Sequence, residues 1–169
     1  MEELIDIYDE DKNFLGLTVP REGAFMQEGQ FMLYVLAIIQ NKEGKFLITQ
    51  RSRDKHWAAG WWEVTGGGVS AGENSLQGVM REISEEVGLD AAGASPALVH
   101  SYKNIDLKRG DNYIVDIYRV TLDFTKDDVV LQESEAVDCR LATWEEIGEL
   151  NEQGIFLHYG RIATALGLE

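Results

Sequence analysis

Residues 67–89, GGVSAGENSLQGVMREISEEVGL, pass from a glycine-rich turn into a strong helical pattern. Apolar side chains recur there every three or four residues, and the pattern stops before Gly88. This period places one apolar stripe along a helix from Asn74 to Val87, and it predicts that the helix packs on a core through that stripe. The stripe consists of Leu76, Val79, Met80, Ile83 and Val87.

Three glutamates of this helix, Glu82, Glu85 and Glu86, share an arc beside the apolar stripe. Like charges at these spacings each cost roughly 0.2–0.5 kcal/mol. The three also lie in the final turns, where the helix dipole is already negative. Gly78, one turn before Glu82, costs about another 1 kcal/mol relative to alanine and leaves room for close approach. The arrangement therefore opposes helix stability.

Two interpretations of this acidic arc stay open from the helix alone. The first is a solvated acidic face in an acidic protein. The second is a site for a divalent cation, because hard carboxylate oxygens suit Mg²⁺ or Mn²⁺. Such ions bind through few carboxylates and complete their coordination with water and substrate phosphates.

The charge of the chain limits its partners. Its 15 Lys and Arg residues stand against 30 Asp and Glu residues, giving a formal net charge of −15. Attachment to a nucleic acid polymer or an anionic membrane would set one polyanion against another, so we expect neither partner. A phosphorylated substrate would need a cation, which the second interpretation of the acidic arc supplies.

The N-terminal residues lack the basic-then-apolar layout of a signal peptide. The longest apolar run, residues 31–39, is too short to cross a bilayer. Cys139 is the one cysteine, which excludes an intrachain disulfide and favours a buried apolar role. These features predict a cytoplasmic protein.

The rest of the chain alternates between strand and helix patterns without a linker or repeat. Residues 5–8 and 14–19 suggest an N-terminal hairpin, and capping residues Thr143 and Glu146 open a helix that reaches about residue 153. We predict one α/β domain over residues 1–169, with helices on a mixed sheet and residues 1–30 as a hairpin extension. Further strands are predicted at residues 33–39, 45–50, 62–64, 98–102, 113–122 and 136–142, and a last helix at 156–166.

The stretch from Gly67 to Leu89 resembles the Nudix box, G-x5-E-x7-R-E-U-x-E-E-x-G-U with U a bulky aliphatic residue, and every defined position matches. Residues 46–51 and 62–67 also resemble the strand and glycine turn that precede the box in that family. The resemblance covers most of residues 31–155. Residues 1–30 are similar to the N-terminal extension of the branch related to isopentenyl diphosphate isomerase.

The resemblance implies the Nudix fold, an α/β/α sandwich, and hydrolysis of a nucleoside diphosphate linked to another moiety with Mg²⁺ or Mn²⁺. By position, Glu82 and Glu86 would be the principal metal ligands. Glu85 would be a further ligand or base, and Gly67 a backbone-carbonyl ligand. Arg81 would hold the carboxylates in place. Glu73 would brace the loop before the helix.

Other positions are candidates with simpler alternatives. Glu135, or less favourably Glu133, lies where some Nudix enzymes place an additional glutamate as ligand or base, and surface charge is the alternative. The cations that could bind phosphate are Arg51, Arg53 and Lys55. The aromatic residues that could stack on a base are Trp57, Trp61, Trp62 and Tyr102, with core packing as the alternative for at least two of them.

Two other functions are compatible with the family resemblance. Isopentenyl diphosphate isomerases use a cysteine before the box, where this chain has Val64, Thr65 and Gly66, and no thiol stands there. A Nudix module that senses a nucleotide without cleaving it often has a degenerate box, whereas this box is intact. Substrate identity is left open, and the N-terminal hairpin could pair two chains into a homodimer.

Overall fold

The computed structural model describes residues 2–168 and consists of nine strands and three α-helices over that range. The strands are β1 Leu4–Tyr8, β2 Phe14–Pro20, β3 Met32–Gln40, β4 Phe46–Arg51, β5 Trp62–Glu63, β6 Thr65–Gly68, β7 Ala97–Asn104, β8 Tyr113–Thr121 and β9 Ala136–Ala142. The helices are α1 Ser75–Val87, α2 Trp144–Glu152 and α3 Tyr159–Leu166.

The centre of the main sheet is β3, which runs parallel to β8 from Met32–Tyr113 to Gln40–Thr121. On its other edge β3 pairs with β6 in antiparallel fashion, and β7 extends the sheet beyond β8. Near its end β3 meets β4, which pairs along its length with β9 and at its tip with β5. The sheet is therefore mixed, as the sequence predicts, and its central strands are almost continuously apolar because both faces are covered.

Alternate residues of β3 enter two different cores. Val35 and Ile39 lie in the cluster that α1 covers through Ile83. Leu36 and Ile38 lie in the cluster on the opposite face, which α2 and α3 cover. Since side chains alternate across a strand, this produces three layers, helix on sheet on helix, and confirms the predicted α/β architecture.

Helix α1 begins and ends where the sequence predicts. Asn74 caps its N-terminus and Gly88 ends it in the left-handed conformation with φ 67°. The predicted stripe is wrong at Leu76, which is 40% exposed. The buried face is rotated toward Gly78, where an added Cβ would lie 3.0 Å from Val69 Cγ2, so the helix approaches the loop closely on that side. The buried residues are Gly78, Val79, Glu82, Ile83 and Val87.

The predicted N-terminal hairpin is present as the antiparallel pair β1–β2, and it docks on the loop before α1. The Ala71 amide donates to the Leu4 carbonyl at 2.9 Å. Lys12, in the hairpin turn, donates to Asp116 Oδ1 on β8 at 3.0 Å, and Asp116 is 1% exposed. Polar bonds at both ends thus fasten the hairpin to the sheet and to the loop.

The C-terminal elements follow the sequence with one correction. Strand β9 covers the predicted residues, with Cys139 buried, and Thr143 caps α2. The last helix begins later than predicted, because Phe156 forms a β-bridge with Trp62 and His158 adopts a left-handed φ of 62°. No helix within residues 2–168 combines the length and apolar character that a membrane span requires.

Candidate active site

Arg81 of α1 binds three carboxylates and one carbonyl. Its Nη2 donates to Glu73 Oε1 at 2.7 Å and to the Gly68 carbonyl at 2.9 Å. Its Nη1 donates to Glu82 Oε1 at 3.0 Å and to Glu85 Oε2 at 3.1 Å. The planar guanidinium therefore ties the helix to the loop before it and fixes two of the three acidic side chains of the arc.

Glu73 is the residue through which Arg81 reaches the loop. Its Oε1 also accepts from the Ser70 amide at 2.8 Å. Arg81 and that amide together hold the pKa of the Glu73 carboxyl below its ordinary value, although burial opposes them. The carboxylate therefore stays charged and keeps the loop closed on the helix.

The glycine turn predicted at residues 66–68 forms the end of strand β6 instead, paired with β3, and it brings the main chain against these carboxylates. A Cβ on Gly67 would lie 2.4 Å from Glu82 Oε1, so only glycine leaves room for the carboxylate there. The Gly66 amide faces Glu86 Oε2 at 3.4 Å. Strand β6 and helix α1 thus meet at the acidic arc, and the Gly67 backbone lies within the candidate site.

Glu86 is the least compensated of the acidic groups. Burial and the neighbouring Glu82 and Glu63 carboxylates raise its pKa to about 9. Burial also raises the pKa of Glu82, although Arg81 opposes this shift. Glu86 is in no ion pair within residues 2–168, whereas Glu82 has Arg81. A cation bound here would favour the ionised form of Glu86 and lower its pKa.

The donor chemistry of this arc fits a hard divalent cation. Its ligands would be carboxylate oxygens, and Glu86 lacks a cationic partner among the described side chains. Within residues 2–168 no group of three His, Cys, Asp or Glu side chains is already arranged around a common point. In this structure Glu82 and Glu85 accept hydrogen bonds from Arg81. The residues suit a metal, but these carboxylates would have to turn away from Arg81 to bind one.

A cavity of about 550 Å³ opens beside the glycine turn, and it is rich in aromatic and cationic side chains. Tyr102 lies under the Arg161 guanidinium, whose Cζ is 4.1 Å from the ring centre. Trp57 is 60% exposed, lies 5.4 Å from Arg51 Cζ and faces His158. The lining residues that bear on function are Arg21, Arg51, Trp57, Glu63, Gly66, Gly67, Tyr102, Arg109, Tyr113 and His158.

The structure brings together only some of the predicted substrate residues. Arg51 and Tyr102 line the cavity, whereas Arg53, Lys55 and Trp61 do not. Arg53 is exposed in the loop after β4. Trp61 precedes β5, and its neighbour Trp62 is buried in the core, which agrees with side chains on opposite faces.

Lys55 is directed toward the predicted additional glutamate. Its Nζ forms an ion pair with Glu135 Oε2, and the Glu135 side chain is 41% exposed. Burial raises the pKa of the Glu63 carboxyl, and the nearby Glu135 carboxylate adds to this shift, although Arg51 and Lys55 oppose it. Glu133 is exposed. Glu135 is therefore the better placed of the two glutamates.

Sequence reasoning missed Arg21, Glu63, Arg109 and His158 as cavity residues. Glu63 could have been found, because Arg51 and Glu63 lie on neighbouring strands and pair at 3.1 Å. Nothing in the sequence around Arg21 indicates that it lies in the cavity, because Gly68, which it contacts, is far from it in the chain.

Comparison with known proteins assigns the family. The NUDIX domain profile matches residues 30–162. An uncharacterised Nudix hydrolase of Listeria monocytogenes is 30% identical over 157 residues, which cover 91% of this chain and 88% of that protein. The profile match covers residues 31–155, over which the Nudix resemblance is predicted.

Two solved structures share the fold. A Deinococcus radiodurans protein has a TM-score of 0.69 at 20% identity, over 89% of this chain and 90% of that chain. The NUDIX domain of Shewanella oneidensis NrtR, crystallised with ADP ribose, has a TM-score of 0.58 at 18% identity, over 70% and 77% of the chains. The chain therefore belongs to the Nudix family, and it is a hydrolase that acts on phosphorus-containing acid anhydrides.

Proposed function

We propose that this protein uses Mg²⁺ or Mn²⁺ to hydrolyse a diphosphate bond in a nucleoside diphosphate linked to another moiety. One observation carries the proposal: Glu86 is a partly buried carboxyl without a cationic partner among the described residues, and it lies beside Glu82 at the glycine turn that opens into an aromatic cavity. A bound metal would satisfy the carboxylates and receive the phosphates in the same place.

The proposed ligands are Glu82, Glu86, Glu85 and the Gly67 carbonyl. An ion held there would neutralise phosphate charge and lower the pKa of a bound water. Arg81 would hold Glu82 and Glu85 and balance their charge while the ion is absent, and both carboxylates would turn from it toward a bound ion. These roles follow the chemistry of the donors and the contacts of the guanidinium.

Two glutamates are proposed to accept the proton of the attacking water. Glu85 is half exposed and lies on the acidic arc. Glu135 lies near Glu63, a residue of the cavity, and is held by Lys55. An exposed carboxylate can pass a proton on to solvent, and Lys55 keeps Glu135 oriented until substrate arrives.

The cavity supports a nucleotide-like substrate. Its volume of about 550 Å³ is in the range of small-ligand pockets. Trp57 and Tyr102 offer ring faces on which a base could stack, a contact worth roughly 1–3 kcal/mol. Arg51 lies beside Trp57 and could contact phosphate, although Glu63 already occupies part of its guanidinium. The ADP ribose bound by the NrtR domain supports this class of substrate.

Neither alternative function has comparable support. The isomerase would need a thiol near Thr65, and Cys139 lies instead in β9, paired across from Thr49. A sensor module would bind without turnover, and nothing in the intact box favours that outcome. The hydrolase is the function that uses the carboxylates, the turn and the cavity together.

We also propose the setting in which the enzyme works. The charge of −15 supports an enzyme without nucleic acid or membrane partners, and the single cysteine supports a cytoplasmic setting. Residues 1–169 would act as one domain, because polar bonds from Lys12 and Leu4 tie the hairpin to the rest. Exposed Phe14 and Leu15 on the hairpin support pairing into a homodimer.

A substrate screen tests the proposal. The protein is incubated with Mg²⁺, Mn²⁺ or a chelator and a panel of dinucleotides, nucleotide sugars and nucleoside triphosphates, and cleavage is followed by chromatography. We expect metal-dependent cleavage by the wild type and by Glu149→Gln, an exposed glutamate of α2, but not by Glu86→Gln. Cleavage that persists in chelator, or metal-independent binding without turnover, would refute the proposal.

A further inference from the structure

Arg21 is a cation that the N-terminal hairpin places inside the candidate site. It directly follows β2, and its amide donates to the Glu3 carbonyl at 2.8 Å. Its side chain lines the cavity together with Gly66 and Gly67. Residue 21 lies outside the part of the chain that the NUDIX domain profile matches, residues 30–162.

The guanidinium rests on the last glycine of the turn. A Cβ on Gly68 would lie 3.1 Å from Arg21 Nη1 and 3.2 Å from its Cζ. Tyr34, the cross-strand partner of Gly68, also lies beside the group, with its ring centre 5.7 Å from Cζ. Gly67 faces Glu82 and Gly68 faces Arg21, so the carboxylate and the cation flank adjacent residues of β6. In the described chain β6 pairs only with β3, so both groups lie near a free strand edge.

Arg21 keeps the capacity to bind an anion. Its ion pair with Glu3 uses Nη1 alone, at 3.2 Å, and the side chain is 39% exposed. Glu3 is 45% exposed, and an ion pair open to solvent on both sides is weak. An incoming phosphate can therefore replace or join Glu3, and arginine binds phosphate in bidentate fashion.

The other two arginines of the cavity are less suited to this role. Arg51 is 16% exposed, pairs with Glu63 and donates to the Trp57 carbonyl. Arg109 is 83% exposed at the rim and lies 4.0 Å from Asp106. The cavity also contains Glu63 and Asp111, so a diphosphate needs an ordered cation to offset them. Arg21 is ordered by its contacts and is still accessible.

We propose that Arg21 binds a phosphate group of the substrate, so that the N-terminal hairpin forms part of the substrate site. This inference rests on the proposed function, since it assigns a residue to the diphosphate of the same reaction. A structural role alone would link Arg21 to Glu3 and Tyr34 and would predict no change in substrate affinity.

Steady-state kinetics on the cleaved substrate test the inference. In Arg21→Met we expect KM to rise at least about 10-fold while kcat changes less than about 3-fold. The matched control is Arg119→Met, which removes the same charge from an exposed β8 residue that bonds Gln40, and it should keep both constants. Glu3→Gln should leave KM equal to or below that of the wild type. An unchanged KM in Arg21→Met, or a KM raised as much in Glu3→Gln, would overturn the inference.

Binding of inorganic pyrophosphate separates this inference from the proposed function. With Mg²⁺ present, isothermal calorimetry should show at least about 10-fold weaker binding to Arg21→Met than to the wild type or Arg119→Met. Equal binding overturns the role of Arg21 even if hydrolysis is found. Weaker binding without any hydrolysis supports Arg21 and refutes the hydrolase, and a wild type that neither binds nor hydrolyses refutes both.

Folding is checked separately. Thermal melts should place Arg21→Met close to the wild type, because the Glu3 pair is exposed. If Arg21→Met does not fold, Arg21→Lys keeps the charge but loses the planar fork, and it should bind pyrophosphate more weakly than the wild type. Wild-type binding by Arg21→Lys would then overturn the bidentate contact.

Discussion

Gly67 is in close contact with Glu82, since a Cβ on Gly67 would lie 2.4 Å from Glu82 Oε1. Gly67 does not have the positive φ angle that favours glycine. The glycine is therefore needed for space and not for backbone conformation. Its absent side chain is what allows the β6 backbone and the acidic arc of α1 to share one site.

Gly67→Ala should impair the site more than the fold. The added methyl group would force the Glu82 carboxylate away from the turn, and Arg81 would lose part of its arrangement. We expect activity to fall by about 100-fold or more and unfolding free energy by about 1–3 kcal/mol, the usual cost of overpacking. Gly93→Ala is the control, because a Cβ there meets nothing within 4 Å. Near-normal activity in Gly67→Ala would contradict the contact.

Glu86→Gln and Glu82→Gln should each lower turnover by orders of magnitude. Each variant keeps the shape of the side chain but removes a proposed metal ligand, so the fold should persist by circular dichroism. The measurement is the initial rate at saturating Mg²⁺, compared with Glu149→Gln. A variant with a near-normal rate would remove that residue from the ligand set.

The pH dependence of stability follows from Glu86. Its pKa rises from an ordinary value of 4.5 to about 9 in the folded chain, so the folded state holds this proton more tightly. The stabilisation from this proton is complete below 4.5, the pKa of Glu86 in the unfolded chain. It is lost as the pH rises toward about 9, the pKa of Glu86 in the folded chain. In metal-free buffer, unfolding free energy should therefore fall by about 2 kcal/mol between roughly pH 7 and pH 9. Urea titrations test this, and Glu86→Gln should show a flatter profile. Equal slopes would be inconsistent with the shift.

Mg²⁺ should stabilise the wild type more than Glu86→Gln. Metal binding favours the folded chain by mass action, and a bound ion offsets the cost of ionising Glu86 beside Glu82. The measurement is the melting temperature at pH 8 and fixed ionic strength, with and without Mg²⁺. Protein freed of metal by a chelator is the starting material for both. Identical shifts in both proteins would argue against a metal at these carboxylates.

Local patterns predicted most of the architecture and the acidic arc. Period and capping signals located α1 and α2, because the side chains that fix those ends are close in sequence. The exposure of Leu76 was missed, since it depends on how Gly78 lets α1 approach Val69. The beginning of the last helix was missed for the same kind of reason, a long-range bridge between Trp62 and Phe156.

The site was predictable where it lies on one helix and unpredictable where distant segments meet. Glu82, Glu85 and Arg81 share α1, so spacing alone groups them. The direction of Lys55 depends on where β9 begins, which sequence spacing does not encode. Arg21 reaches Gly68 only because the hairpin docks on the sheet.

The bond between Lys12 and Asp116 bears on the expression of an N-terminally truncated protein. A shortened chain that starts at residue 30 would keep the whole box but lose the Lys12 ammonium, leaving the Ser75 and Ser101 hydroxyls as the donors to Asp116. Such a fragment would be liable to misfold in expression trials, and a failed assay on it would say nothing about the enzyme.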